Sequence, residues 1–206
     1  MKRINNIFYS LQGEGRNTGR AAVFIRFAGC NLRCSFCDTE FNAYREMSDE
    51  EIVDAVKAIL PSPITLHPSP LIVLTGGEPT LQVDETFVDF LHQHGYEVAM
   101  ESNGTRPAPR NLDWLTVSPK VSRDGRYEVR GERLPDEIKI VFDENTNPEA
   151  ILSPLATHHS PLLYLQPCDT GDPVRNKGIT QACVEYIKAH PQWRLSLQTH
   201  KLIDIE

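Results

Sequence analysis

The segment AAVFIRFAGCNLRCSFCDTEFN (21–42) sets the pattern of the chain. An apolar run of strand length, 21–28, gives way at Gly29 to a polar loop in which Cys30, Cys34 and Cys37 fall within eight residues. The same succession recurs downstream. LIVLT (71–75) is followed by GGEPT, YEVAME (96–101) by SNGT, WLTV (114–117) by SPK, and LLYLQ (162–166) by PCD, while EIKIVF (137–142) and RLSLQ (194–198) are further strand-like runs. Helical patterns stand between them. Ser48 with Glu51 three residues on forms a capping-box pattern ahead of Ile52, Val56, Ile59 and Leu60. Phe87, Phe90 and Leu91 mark a second helix, and Ile179, Ala182, Cys183, Tyr186 and Ile187 a third.

Repetition of strand, helix, strand calls for parallel strands joined by right-handed crossovers. Six or seven strands and three helices fall short of the eight pairs of a closed barrel. The expected fold is therefore α/β, a partial (open) parallel β/α barrel of about six strands, in one domain spanning 1–206. Ligand sites in such folds gather at the carboxyl ends of the strands, where the polar loops of this chain lie. The segment RDGRYEVRGERL (123–134) reads as a surface hairpin from its Asp-Gly and Arg-Gly turns.

The 206 residues are 40% hydrophobic and 24% charged, an ordinary globular composition. A formal charge of −7 argues against nucleic acid as a partner, because phosphate backbones are held by excess Lys and Arg. No apolar run approaches the ~20 residues that span a bilayer, and the start, MKRINNIFYSLQGEGR, lacks the apolar stretch of a signal peptide. A cytoplasmic protein with no membrane partner is expected. Five cysteines, three of them crowded, do not resemble a secreted disulfide framework and suit metal binding in a reducing compartment.

Thiolates at this spacing suit zinc or iron–sulfur. Zinc would need a fourth ligand from a distant His or Cys. Cys168 is a candidate, whereas Cys183, on a helical stripe, reads as a small buried apolar residue. Three thiolates without a nearby fourth suit a four-iron cluster with one iron open, since such clusters otherwise take four Cys. In Gly76-Gly77-Glu78-Pro79 two glycines let backbone approach a ligand, and a carbonyl or carboxylate can receive an ammonium. Arg26 interrupts an apolar strand and needs an anion, either a ligand carboxylate held by its fork or an internal Asp or Glu.

Cys30-xxx-Cys34-xx-Cys37, with Phe36 before the last cysteine, resembles the signature of radical S-adenosylmethionine enzymes, and Gly76-Gly77-Glu78-Pro79 resembles their GGEP motif. With QGEG (12–15), Arg26, the CDT unit, TGGEPTLQ (75–82) and QTHK (198–201), the chain resembles the 7-carboxy-7-deazaguanine synthase family nearly end to end. That resemblance implies a carbon–nitrogen lyase of queuosine biosynthesis, converting 6-carboxy-5,6,7,8-tetrahydropterin to 7-carboxy-7-deazaguanine with loss of ammonia. It implies a 4Fe-4S cluster on Cys30, Cys34 and Cys37, whose open iron chelates S-adenosylmethionine so that one electron releases a 5′-deoxyadenosyl radical. Phe36, Cys37, Asp38, Gly77, Ser118, Pro119, Lys120, Gln166, Pro167, Cys168 and Asp169 match cofactor positions, while Ser102 and Asn103 read either as further contacts or as an ordinary turn after a strand.

Thr39 matches a magnesium position, where a neutral hydroxyl serves only if waters and substrate oxygens complete the octahedron. Leu11, Gln12, Gly13, Arg26, Thr75 and the terminal Glu206 match substrate positions, although relatives tend to end in proline. A fourth thiolate from Cys168 would close the iron that the chemistry needs open. An external electron donor such as flavodoxin or ferredoxin and a homodimer complete the expectation. The rival readings are a glycyl-radical-enzyme activating protein, from which QGEG and Arg26 point away, and a non-catalytic zinc or iron–sulfur module.

Overall fold

Alternation along the strands decides what faces what. In the computed structural model, which describes residues 1–37, 43–61, 69–120, 129–153 and 160–206, strand β2 (Ala21–Phe27) buries Val23, Ile25 and Phe27 on one face and turns Ala22, Phe24 and Arg26 to the other. β4 (Leu71–Gly76) does the same with Ile72 and Leu74 against Leu71, Val73 and Thr75. In β7 (Glu137–Phe142), Ile138, Ile140 and Phe142 alternate with Glu137, Lys139 and Val141. Successive side chains of a strand point to opposite faces, so one face packs on helices and the other lines the interior of the curved sheet.

Among the described residues nine strands form one sheet in the order β3-β1-β2-β4-β5-β6-β7-β8-β9. The remaining members are β1 (Lys2–Leu11), β3 (Arg45–Met47), β5 (Glu97–Ser102), β6 (Trp114–Val117), β8 (Leu162–Pro167) and β9 (Trp193–Leu195). From β2 to β9 all pairings are parallel. Those seven strands are the partial barrel expected from the repeating pattern. β1 and β3 are additions: β1 pairs antiparallel with both β2 and β3. Sequence patterning missed β1 because a register shift between Ile4 and Asn6 breaks its alternation. Ile4 joins the helix-side core, whereas Phe8, four residues on, lies on the interior face and stacks on Phe24 at 4.9 Å. A bulge turns the strand over in this way.

The helices cover the outer face. α1 (Asp49–Ile59) opens on the full capping box, with Glu51 N–H donating to Ser48 Oγ and Ser48 N–H to the Glu51 carboxylate. It buries Ile52, Val53 and Val56, while Ile59, at its last position, is exposed rather than buried. α2 (Glu85–Gln93) contributes Phe87, Val88 and Leu91 to the same core. α4 (Pro173–Ala189) packs Ile179 and Cys183 on Ile140, Leu165 and Trp193. Cys183 is fully buried there, and its thiol is pushed up to about 12 by burial, as a small apolar residue should be. Ala182 on the same helix is exposed. Two short helices, α3 (Pro148–Leu152) and α5 (Thr199–Leu202), carry too few residues for a periodic signal. The first half of the proposed hairpin, 123–128, lies outside the described residues, and 129–134 hold no strand.

The capping box gives a direct test of α1. Ser48→Ala should lower the unfolding free energy by about 1 kcal/mol, read as a shifted midpoint in urea titration with an unchanged slope.

Candidate active site

A cavity of about 470 Å³ occupies the interior of the partial barrel and opens at the carboxyl ends of its strands. Of the residues singled out in the sequence, those from the N-terminal loop (Leu11, Gln12, Gly13), the strands (Arg26, Thr75), the cysteine loop (Cys30, Cys34, Phe36, Cys37) and Gly77 all line it. So do Ser118, Lys120, the four residues 166–169 and Glu206. Pro119 is buried and is not on the cavity wall. Asp38 and Thr39 lie outside the described residues.

Two loops cross at the cavity mouth. Gly77 N–H donates to the Phe27 carbonyl at 2.9 Å and Glu78 N–H to the Gly29 carbonyl at 2.9 Å, clamping the turn after β4 to the start of the cysteine loop. The approach is so close that a Cβ on Gly77 would stand 2.0 Å from the Gly29 oxygen. Only glycine fits. Glu78 is fully buried, and its carboxyl group accepts from Thr80 N–H, Thr80 Oγ1, Ser102 Oγ and Asn103 N–H at 2.7 to 3.1 Å. That side chain is spent on the protein and is not free to receive an ammonium.

Cys30 and Cys34 are half-buried, and burial holds both thiols above the usual range. A cation at the site is what would draw them to thiolate. Among the described residues no three His, Cys, Asp or Glu side chains converge on the dimensions of one metal ion. The donor set is three soft sulfurs on one loop beside an open cavity, which fits an iron–sulfur cluster with one iron exposed. Lys120, placed beside Cys34 and over the Phe36 ring at 5.6 Å, is pulled down to about 8 by burial.

The interior holds a charge cluster that belongs to none of the sequence motifs as a unit. Lys139, 3% exposed, pairs with Glu14 and, at 3.0 Å, with Glu101. Gln12 donates to the other oxygen of Glu101 at 2.9 Å, and Gln198 to Glu14 at 3.2 Å. Burial works against charge on Lys139, but the two carboxylates more than offset it and hold the ammonium well above the ordinary lysine range. Burial likewise opposes ionisation of Glu14, yet the adjoining ammonium keeps its carboxyl below 4.5. The signal was available: Glu101 and Lys139 interrupt apolar strands as Arg26 does.

Because β1 is antiparallel, its end lies beside the start of β2, Leu11 opposite Ala21, so the QGEG loop enters the barrel from the end opposite to the cysteines. It is fixed there by Arg16 N–H to Glu137 at 3.0 Å and by Gly15 N–H to Ser196 Oγ at 3.0 Å. Gly15 has φ of 64°, and a Cβ on it would meet the Glu137 carboxylate at 2.0 Å, which accounts for this glycine. The carboxy-terminal QTHK closes over the same loop: Thr199 donates through N–H and Oγ1 to the Gly13 carbonyl at 3.1 and 2.9 Å, while Lys201 pairs with Asp169 at 3.0 Å. The Gly171 N–H and that ammonium hold Asp169 at about 2. Glu206 reaches back to β1, its side chain accepting from Asn6 and a main-chain oxygen from Ser10, both at 2.6 Å. Arg26 differs from these. It lines the cavity with its guanidinium 5.5 Å from the Phe8 ring, and among the described residues no carboxylate pairs with it.

Comparisons with known proteins show what the chain as a whole is similar to. The Radical SAM superfamily model matches residues 24–144. A 7-carboxy-7-deazaguanine synthase from Bacteroides thetaiotaomicron is 45% identical over 205 residues, covering 100% of this chain and 99% of that protein. One from Bordetella pertussis is 45% identical over 219 residues and covers 98% of each chain. A crystal structure of QueE from Escherichia coli superposes with a TM-score of 0.76 at 30% identity, over 95% of this chain and 93% of that one.

The charge cluster makes a pH-dependent prediction. Glu14 is depressed in the fold, so its contribution to stability is complete above pH 4.5 and lost as pH falls through its folded value. Lys139 is raised, so its contribution is complete below pH 10.5 and lost only as pH rises through its folded value. Lys139→Met, which strands two carboxylates, should cost about 3–5 kcal/mol in urea unfolding, evenly across neutral pH. The deficit should shrink below pH 4.5.

Proposed function

This chain belongs to the 7-carboxy-7-deazaguanine synthase family of the radical S-adenosylmethionine superfamily, and on that premise we propose how its cavity is used. The enzyme is a carbon–nitrogen lyase of queuosine biosynthesis that converts 6-carboxy-5,6,7,8-tetrahydropterin to 7-carboxy-7-deazaguanine with loss of ammonia. The observation that carries the site assignment is Arg26: a half-buried guanidinium facing the cavity without a carboxylate partner among the described residues. A buried cation needs an anion, and the 6-carboxylate of the pterin presents one to its planar fork. Thr75, the cross-strand partner of Arg26, sets a hydroxyl beside it. Farther in, the carboxylates of Glu101 and Glu14 outnumber the single Lys139 ammonium and suit the N–H-bearing edge of the ring. Leu11, Gln12 and Gly13 lie between, and the terminal segment shields them from water.

Cys30, Cys34 and Cys37 hold the 4Fe-4S cluster, and Phe36, Asp38, Gly77, Ser118, Pro119, Lys120 and residues 166–169 surround S-adenosylmethionine. When bound, these groups supply the one-electron cleavage that begins hydrogen abstraction. Cys168, whose thiol burial pushes up, belongs to the cofactor loop rather than to the cluster. Pro119, behind the wall, acts by shaping the backbone between Ser118 and Lys120. Thr39 and substrate oxygens coordinate magnesium. Glu206, on the cavity wall with Asn6 donating to its side chain and Ser10 to its main-chain oxygen, contacts substrate. The whole chain acts as one domain, as a cytoplasmic homodimer, with electrons from a flavodoxin or ferredoxin.

Anaerobic reconstitution tests the reading directly. Four irons per chain, 5′-deoxyadenosine formation and a deazaguanine product are expected; cofactor cleavage without that product would remove the substrate assignment. Arg26→Ala should raise the apparent KM for the pterin by about 10- to 100-fold, the loss of one charge-assisted contact, with iron content unchanged. An unaltered KM would take Arg26 out of the site.

A further inference from the structure

Asn103, at the turn after β5, is 9% exposed and makes more contacts than a turn requires. Its backbone N–H donates to Glu78 Oε2 at 2.7 Å. Its side-chain Oδ1 accepts from Thr105 N–H at 3.0 Å and from Thr105 Oγ1 at 2.6 Å. A backbone N–H can only donate, so the atom facing it must be the amide oxygen, and the orientation of the amide follows. The nitrogen is thereby turned the other way, donating to Asn31 Oδ1 at 3.0 Å with Cys30 Sγ 3.9 Å away, inside the reach of a sulfur contact. Asn31 Nδ2 donates to Thr105 Oγ1 at 2.8 Å, which closes the three side chains into a ring of matched donors and acceptors. Leu32 N–H approaches the same sulfur at 3.4 Å.

Two N–H groups thus converge on Cys30, one from its own loop and one from the far side of the cavity mouth. We propose that Asn103 is a positioning residue for the iron–sulfur cluster: its amide N–H, aimed at Cys30 Sγ, raises the cluster's reduction potential. This rests on the cluster assignment under the proposed function. An N–H dipole directed at a ligand sulfur favours the more electron-rich state, and such bonds are among the levers that set potentials in iron–sulfur proteins. Glu78 acts one step behind. It holds Ser102 Oγ and Asn103 N–H together, so the motif glutamate reaches the cluster through Asn103 and not by touching the cofactor.

Asn103→Asp retains the oxygen that Thr105 holds and replaces the donor with an acceptor. A mediated redox titration of the reconstituted enzyme, followed by electron paramagnetic resonance of the reduced cluster, should show its potential lowered. A tenfold shift in the reduction equilibrium would read as 59 mV for this one-electron couple. Thr105→Val, which leaves Asn103 in place but removes one of two clamps on its amide, should lower the potential by less. A variant Asn103→Asp that holds four irons at the wild-type potential, or at a higher one, overturns the proposal. Should that variant fail to hold four irons, Thr105→Val decides: a lowered potential supports the role and an unmoved one rejects it. A wild-type chain that takes up no four-iron cluster would sink the proposed function, and this inference with it, whereas an intact cluster with unmoved potentials removes only the role of Asn103.

Discussion

The buried carboxyl group of Glu78 is the knot on which the site depends. Four donors from Thr80, Ser102 and Asn103 converge on it, while its own N–H and that of Gly77 bind the backbone at Phe27 and Gly29. The ends of β2, β4 and β5 are joined there, so the cysteine loop leaves the sheet from a fixed point. A buried acceptor left unmade costs more than a made one gains, which is why such a fully engaged group specifies a single arrangement. The geometry leaves no slack, since the glycine that permits the crossing has no room for a methyl group.

Below this mouth the largely apolar barrel interior carries a buried charge cluster, tolerated because Lys139, Glu14 and Glu101 answer one another. Lys139 draws Glu101 from the sheet and Glu14 from the N-terminal loop onto one ammonium. Among the described residues the sheet is open, and segments near both ends of the chain wall its cavity. QGEG enters from the amino-terminal side, and QTHK crosses it to reach Asp169 and, through Glu206, β1. The cavity is therefore bounded by segments 180 residues and more apart in sequence, held by hydrogen bonds to backbone carbonyls and side chains rather than by an extensive apolar interface.

Much of the fold was legible because local rules and packing agree along most of the chain. The capping box at Ser48 opens α1, and the polar segments after the apolar runs form the cavity mouth. β1 escaped because its bulge reverses the face presented, so that Ile4 and Phe8 obey no single period. Of the candidate residues, Arg26 stood out as a charge in an apolar strand. Glu101 and Lys139 carried the same mark and were passed over, because each needs the other's position before it reads as anything but a surface charge on a half-exposed strand.

Sequence alone determined the chemistry available: three soft sulfurs on one loop, a glycine pair that lets backbone approach, and the order of strands and helices that makes a partial barrel. These depend on residue type and on neighbours a few positions away. Tertiary structure decided the assignments among them. It consumed Glu78 internally, left Arg26 with no carboxylate partner among the described residues, turned the Asn103 amide toward Cys30, and brought Thr199 onto Gly13 beside one cavity. Each of those outcomes depends on which donor meets which acceptor across 20 to 200 residues of chain. Local spacing carries no record of that, because the partners are chosen only when the strands take their register.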